Sequence, residues 1–338
     1  MIGYIYNEDF FYKKILSSEK RSVRNTLLIK ESMYTERQIN KKDGIRILSC
    51  IAKDSSIYNL QNNLRMNFLN NIPIPNNVKG FLPGHSYKDF VIPHLKQKYY
   101  LRLDIKNFFD SVTSETIKEV FSEYFKLDSY SANNELLEVF TEIVTLRNSL
   151  PQGGVTSPTI SNIAFRRIDI RISKYCKRFN INYTRYADDL LFSSNQDSIH
   201  KSFFIKKISY ILNDLRLKIN SSKIKKTKDY ISLNGFVVRD DISLSRKRKS
   251  DLSKVLFLVE KNKKISSIEN ILSILNHERY LYKSYDFDNK WALINYLSGY
   301  RALIIDWLPL KKQAINYKKN QQLIKRIENT IDFLLEEN

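Results

Sequence analysis

Two cysteines in 338 residues, Cys50 and Cys176, rule out a disulfide framework and give no zinc-ligand spacing; their scarcity fits a reducing compartment. Glycine is also scarce, at 8 residues, and no Gly/Ser-rich linker or internal repeat breaks the chain. No apolar run approaches the roughly 20 residues needed to cross a bilayer. The first residues, Met1-Ile2-Gly3-Tyr4-Ile5-Tyr6-Asn7-Glu8-Asp9, lack the basic and apolar segments of a signal peptide. The expectation is a soluble, cytoplasmic protein with no membrane partner. Acid is in deficit too, with 36 Asp+Glu against 56 Lys+Arg and a net charge of +20. An imbalance that large, with the basic residues clustered, points to a polyanionic partner.

What is present centres on Tyr186-Ala187-Asp188-Asp189, set between two short runs rich in aromatic and aliphatic residues. Such runs read as strands, and the small break between them reads as a hairpin turn. Adjacent carboxylates repel unless something neutralises them, and a divalent cation would do so. Taken alone, an Asp-Asp turn is more often a local turn device. A second acid sharpens the reading. Tyr99 to Ile105 alternates as a strand, with Tyr99, Leu101 and Leu103 on one face and Tyr100, Arg102 and Asp104 on the other. An acid at a strand end beside a hairpin bearing two more is the layout of a two-metal phosphoryl-transfer site.

Elsewhere the pattern is coarser. Residues 1 to about 40 read as mainly helical, and Lys41 to Leu48 as a basic hairpin with an Asp-Gly turn, whose Lys41 and Arg46 could reach a triphosphate. Residues 56–69 read as a helix, and 80–86 as a loop. His94 is read as a packed histidine rather than a ligand. Residues 113–148 carry helical periodicity interrupted at 129–134. Leu150 to Pro158 is a turn-rich loop feeding a helix from about Thr159 past Ile172, and Gln152 within it could bond a sugar or phosphate. Residues 199–215 read as a helix, Leu217 to Asn220 and Gly235 to Val238 as strands. A composition shift near residue 240 opens a basic, helix-rich tail.

In this order the blocks resemble a prokaryotic reverse transcriptase, of the retron type or a related defence-associated kind, over roughly residues 40 to 250. The likeness rests on Leu103-Asp104-Ile105-Lys106-Asn107-Phe108-Phe109, on Leu150-Pro151-Gln152-Gly153 with Ser157-Pro158 and Ser161-Asn162, on Tyr186-Ala187-Asp188-Asp189, and on Leu217-Lys218-Ile219-Asn220 with Lys223. Gly80-Phe81, Ser86 and His94 fit an upstream retron segment. Phe90-Val91 stand where retrons usually carry Asn-Ala, and Leu233-Asn234-Gly235 where they usually carry Val-Thr-Gly.

The resemblance implies an α+β right-hand polymerase. Fingers would span 1–95, with 113–149 returning to them. An antiparallel-sheet palm of split βαβ type would span 96–112 and 150–240, and a helical basic thumb 241–338. It implies RNA-directed DNA synthesis on a dedicated structured noncoding RNA, in antiviral defence. Asp104, Asp188 and Asp189, with the Ile105 carbonyl, would bind two Mg²⁺ ions (Mn²⁺ as the alternative), and Lys223 would act as general acid. Lys41, Arg46, Phe109 and Gln152 would contact the dNTP, Phe109 by crowding a ribose 2′-OH. Arg246, Lys247, Arg248 and Lys249 would grip template–primer and DNA product. An effector protein and an oligomer are further partners to expect. The competing expectations are an untemplated or protein-primed DNA polymerase, and a non-catalytic RNA-binding scaffold.

Overall fold

The structure is a computed structural model and describes residues 3–41, 44–277, 286–307 and 315–336. Its helices are α1 (Lys20–Leu28), α2 (Ser56–Asn67), α3 (Tyr87–Val91), α4 (Ser114–Phe121), α5 (Tyr130–Val144), α6 (Ser157–Arg178), α7 (Ser202–Leu212), α8 (Arg246–Asn262), α9 (Ile268–His277), α10 (Lys290–Trp307) and α11 (Ile315–Glu336). Its strands are β1 (Tyr34–Lys41), β2 (Gly44–Ile51), β3 (Tyr99–Asp104), β4 (Asn182–Tyr186), β5 (Asp189–Ser194), β6 (Lys225–Lys228), β7 (Ile231–Leu233), β8 (Phe236–Val238) and β9 (Ile242–Leu244). No helix among the described residues is long and apolar enough to cross a membrane.

Two compact units emerge, one of Met1–Pro93 with Tyr99–Thr227 and one of His94–Lys98 with Lys228–Asn338. The division falls ahead of the composition shift near residue 240, because the small sheet β7-β8-β9 belongs with the C-terminal helices. Within that second unit the segment before β3 is tied in by backbone bonds, Lys96 N–H to the Arg239 carbonyl and Asp229 N–H to the Lys98 carbonyl, each 2.7 Å. Helices α8 to α11 bury Leu252, Val255, Leu256, Leu275, Leu297 and Ile327 in one core. Their spacing by three and four is that of apolar helix stripes, as the sequence periodicity predicts.

The first unit holds a four-stranded sheet in the order β4-β5-β3-β6. In chain order it runs β3, helices α4 to α6, β4, β5, α7, β6, which is the split βαβ (ferredoxin-like) arrangement. The hydrophobic alternation fixes which face is covered. Leu101 and Leu103 of β3 stand opposite Phe192 and Leu190 of β5, and these pack with Phe165, Ile168 and Ile172 of α6 and Phe204 and Ile208 of α7. Each such side chain, fully buried, is worth about 1.5–3 kcal/mol. Tyr100, Arg102 and Asp104 take the other face. A second core joins α1, α2, α4 and α5 to the start of α6.

Three local expectations change. β1 begins at Tyr34, inside the stretch read as helical to about residue 40, because pairing from Tyr34↔Ile51 to Lys41↔Gly44 outweighs weak helical periodicity. The polar stretch at 129–134 starts a helix rather than interrupting one. Ser129 is the N-cap of α5, its Oγ accepting from Ala132 N–H at 3.5 Å. Leu217 to Asn220 is not a strand; it keeps one bridge, Ile105↔Ile219.

Candidate active site

The acids meet through register. β3 and β5 run antiparallel with Asp104 opposite Asp189, and cross-strand partners share a face. The β4–β5 hairpin pairs Tyr186 with Asp189, leaving Ala187 and Asp188 as its two-residue turn. Ala187 has φ +55, a left-handed backbone that costs a residue with a Cβ about 1 kcal/mol. The Asp188 carbonyl accepts from Ile105 N–H at 3.0 Å, which ties the turn to the end of β3. On the other side of Asp104, its carbonyl accepts from Asn220 N–H at 2.8 Å, and the Lys218 carbonyl accepts from Lys106 N–H at 2.9 Å. Those bonds bring Lys223 in, with Nζ 3.3 Å from each carboxylate oxygen of Asp104.

The three carboxylates differ in their surroundings. Asp188 is held above the usual carboxylate range chiefly by burial; its own backbone N–H draws it back and the charge of Asp104 adds to the rise. Asp189 is pushed up to about 6 by burial, against the pull of Arg102. Arg102 donates Nε to Asp189 Oδ1 and Nη2 to Oδ2, both at 2.8 Å. Such a fork is the geometry guanidinium is built for. Both carboxylate oxygens of Asp189 thus accept from Arg102. Among the described residues no three His, Cys, Asp or Glu side chains gather as a metal site. Of the three, Asp104 and Asp188 line the adjoining cavity.

A cavity of about 890 Å³ opens on this corner, lined by Asp104, Ile105, Asp188 and Lys223 and also by Phe81, Phe109 and Gln152. Phe109 is half-buried and packs on Phe108, with ring centres 5.5 Å apart, and on Phe81 at 6.1 Å. The Gln152 carbonyl accepts from Ser49 N–H of β2 at 2.8 Å, which seats the loop before α6 on the edge of the β1–β2 hairpin. Gly153, at φ +125, makes this approach possible: a Cβ there would lie 2.6 Å from the Ser49 carbonyl oxygen. Ile45 and Ile47 of β2 line the same cavity. Backbone register puts Lys41 opposite Gly44 and Arg46 opposite Ile39; the side chains of Lys41 and Arg46, and all of Lys42 and Asp43, lie outside the described residues.

Arg246, Lys247, Arg248 and Lys249 belong to the second unit, in the first turn of α8. Arg246 and Lys247 are exposed, whereas Arg248 lies over the Phe236 ring at 5.2 Å and Lys249 is half-buried. Burial and the nearby Lys319 lower the ammonium of Lys249. His94 is fully buried, and burial pushes its imidazole down to about 3, in keeping with a packed neutral histidine.

Two residues of the site are placed by the sequence reading but given no role by it. Arg102 sits two residues before Asp104 on the same strand face, a signal that was available in the alternation. Phe81, at φ +61 and 42% exposed, lines the cavity between Phe109 and Tyr186. Its position depends on a loop that no periodicity describes.

The chain is 28% identical over 303 residues to the retron Ec73 reverse transcriptase of Escherichia coli, covering 86% of this chain and 87% of that protein. It is 28% identical over 214 residues to the retron Se72 reverse transcriptase of Salmonella heidelberg (strain 579083-10), covering 61% of this chain but only 55% of the relative's length. Among solved structures, telomerase from Candida albicans in complex with a TWJ fragment of telomeric RNA aligns with a TM-score of 0.46 at 13% identity, over 90% of this chain and 66% of that one. Residues 39–265, more than half of the chain and including Asp104, Asp188, Asp189 and Lys223, match the family described as reverse transcriptase (RNA-dependent DNA polymerase), and with its α+β, palm-type sheet this chain belongs to that family.

Proposed function

We propose that this chain is an RNA-directed DNA polymerase that copies a dedicated structured noncoding RNA, in the manner of a retron or related antiviral system, by two-metal phosphoryl transfer in the cytoplasm. The observation that carries the reading is the meeting of Asp104 and Asp188 on the wall of a cavity that also holds Phe109, Gln152 and Lys223. The two carboxylates fit a divalent cation. Asp188 is kept high by burial and by the charge of Asp104, and an ammonium already rests against Asp104. Two carboxylates with the Ile105 carbonyl, completed by substrate phosphates and water, are the sparse protein share usual for Mg²⁺; Mn²⁺ has the same taste for oxygen. Such ions, when bound, supply charge neutralisation at phosphoryl oxygens and a more acidic primer hydroxyl.

The chain's own groups do the rest. Lys223 is half-exposed and, among the described residues, rests against Asp104, so it can swing to a leaving pyrophosphate and donate a proton. Phe109, backed by Phe108 and Phe81, keeps a rigid ring against the sugar and excludes a 2′-OH. Gln152 bonds the sugar or phosphate, and Lys41 and Arg46 hold the triphosphate. Arg102 draws Asp189 part of the way back toward its ionised form and holds it away from substrate, so that Asp189 supports the other two electrostatically from behind. In this reading residues 1–95 and 113–149 are fingers, 96–112 and 150–240 palm, and 241–338 thumb, where Arg246 to Lys249 contact duplex phosphates. The many relatives named as retron reverse transcriptases support the dedicated RNA.

The test is incorporation of labelled dNTPs on an RNA template with a DNA primer, run with and without template, for wild type and Asp188→Asn. The expected result is template-dependent synthesis by wild type, and none by the variant at unchanged RNA affinity. Near-wild-type synthesis by Asp188→Asn would sink the metal assignment, and equal synthesis without template would make the enzyme an untemplated polymerase.

A further inference from the structure

Arg185 is fully buried on β4, the strand leading into the Asp188 turn. Its guanidinium binds Asp169 of α6, with Nε 3.0 and 3.1 Å from the two carboxylate oxygens and Nη2 2.7 Å from Oδ2. Both side chains are fully buried. Tyr183 OH also donates to Asp169, at 2.7 Å, and the guanidinium lies 4.4 Å over the Phe165 ring. Asn162, Phe165 and Asp169 recur at spacings of three and four, so one face of α6 supplies all three. A buried ion pair is a poor way to make a fold stable, since apolar groups of like volume do as well. Its presence here asks for a geometric reason.

The remaining nitrogen supplies one. Arg185 Nη1 donates to Asn162 Oδ1 and to the carbonyl of Ala187, each at 3.1 Å. Asn162 Nδ2 in turn donates to the Gly80 carbonyl at 2.9 Å. Gly80 presses on the same turn from outside: a Cβ there would lie 2.6 Å from the Ala187 nitrogen and 3.2 Å from the Tyr186 carbonyl carbon. The strained, left-handed Ala187 is thus gripped on both sides. The peptide before Asp188 is held at the Ala187 carbonyl by Arg185, and the one after it at the Asp188 carbonyl by Ile105 N–H.

We infer that Arg185 is a positioning residue, which through Asp169 and Asn162 holds the Ala187 turn so that Asp188 projects at the reacting centre. The inference rests on the reading of Asp188 as a reaction-site carboxylate. A shift of about 1 Å at such a group can cost a hundredfold in rate.

The test replaces the charged cluster by apolar groups, Arg185→Met with Asp169→Leu and Tyr183→Phe, which removes both buried charges together. A structural role predicts that a folded triple variant regains activity. A positioning role predicts a melting temperature near that of wild type, kcat lowered by roughly ten- to a hundredfold and KM for dNTP within about twofold. Arg185→Lys is measured beside it, because it keeps the charge but a single ammonium cannot span Asp169, Asn162 and the Ala187 carbonyl. It should keep its fold and show the same kcat loss. Wild-type kcat in Arg185→Lys, or in a folded triple variant, overturns the inference while leaving the polymerase reading intact. Absence of synthesis by wild type, or full synthesis by Asp188→Asn, overturns both.

Discussion

Replacing Asp189 by Asn should make the stability of this protein respond differently to pH, and the structure sets the size of the change. Asp189 loses its proton near 3.8 in an unfolded chain and near 6 in the folded one, because burial outweighs the pull of Arg102. Between those values the folded state holds the proton more tightly. The stability so contributed is present at low pH and lost as the pH rises through about 6. A difference of roughly two pKa units corresponds to about 3 kcal/mol, an upper figure for a group this well buried. Asn cannot titrate, so the variant lacks this loss. It also keeps one acceptor for Arg102, whose side chain is 27% exposed and can rehydrate, so the pH-independent cost stays at about 1 kcal/mol. Urea unfolding without divalent ions, at several pH values from about 4 to 7, gives the difference in unfolding free energy between variant and wild type. That difference should rise in favour of the variant by up to about 3 kcal/mol across the range. The titration of Asp188 is common to both proteins and cancels, apart from its repulsion with Asp189. A flat difference would mean that Arg102 fully compensates burial and that Asp189 ionises as an ordinary carboxylate.

Two further outcomes follow from the same geometry. Phe109→Ala leaves room for a 2′-OH beside Phe81, and the preference for dNTP over NTP should fall roughly ten- to a hundredfold in competition assays; an unchanged ratio in a folded variant makes Phe109 a packing residue only. Ala at Arg246 and Lys247, the exposed pair at the start of α8, should flatten the salt dependence of RNA binding by about one unit of slope per lost phosphate contact. A dedicated enzyme loses most affinity for one structured RNA, so equal weakening for cognate and unrelated RNAs counts against a dedicated template.

Period and spacing were enough to recognise the strand ending in Asp104, the hairpin bearing Asp188 and Asp189, the helices of the tail and the family, because those are local properties of the chain. Alternation even assigned Arg102 and Asp104 to one strand face. Tertiary structure decided what each acid touches. Asp188 and Asp189 are neighbours in sequence, yet one sits on the turn and faces the cavity while the other begins β5 opposite Asp104 and is taken by Arg102. A side-chain period of two sends neighbouring residues to different surroundings, and which partner waits there depends on strand register. The same holds for Leu217 to Asn220, whose strand-like pattern yields to a single bridge because Ile105 offers it only one place to pair. Arg185 and Asp169, sixteen residues apart, meet only once α6 lies across the sheet. Long-range contacts of this kind carry no periodic trace, since they are made by packing rather than by the local backbone.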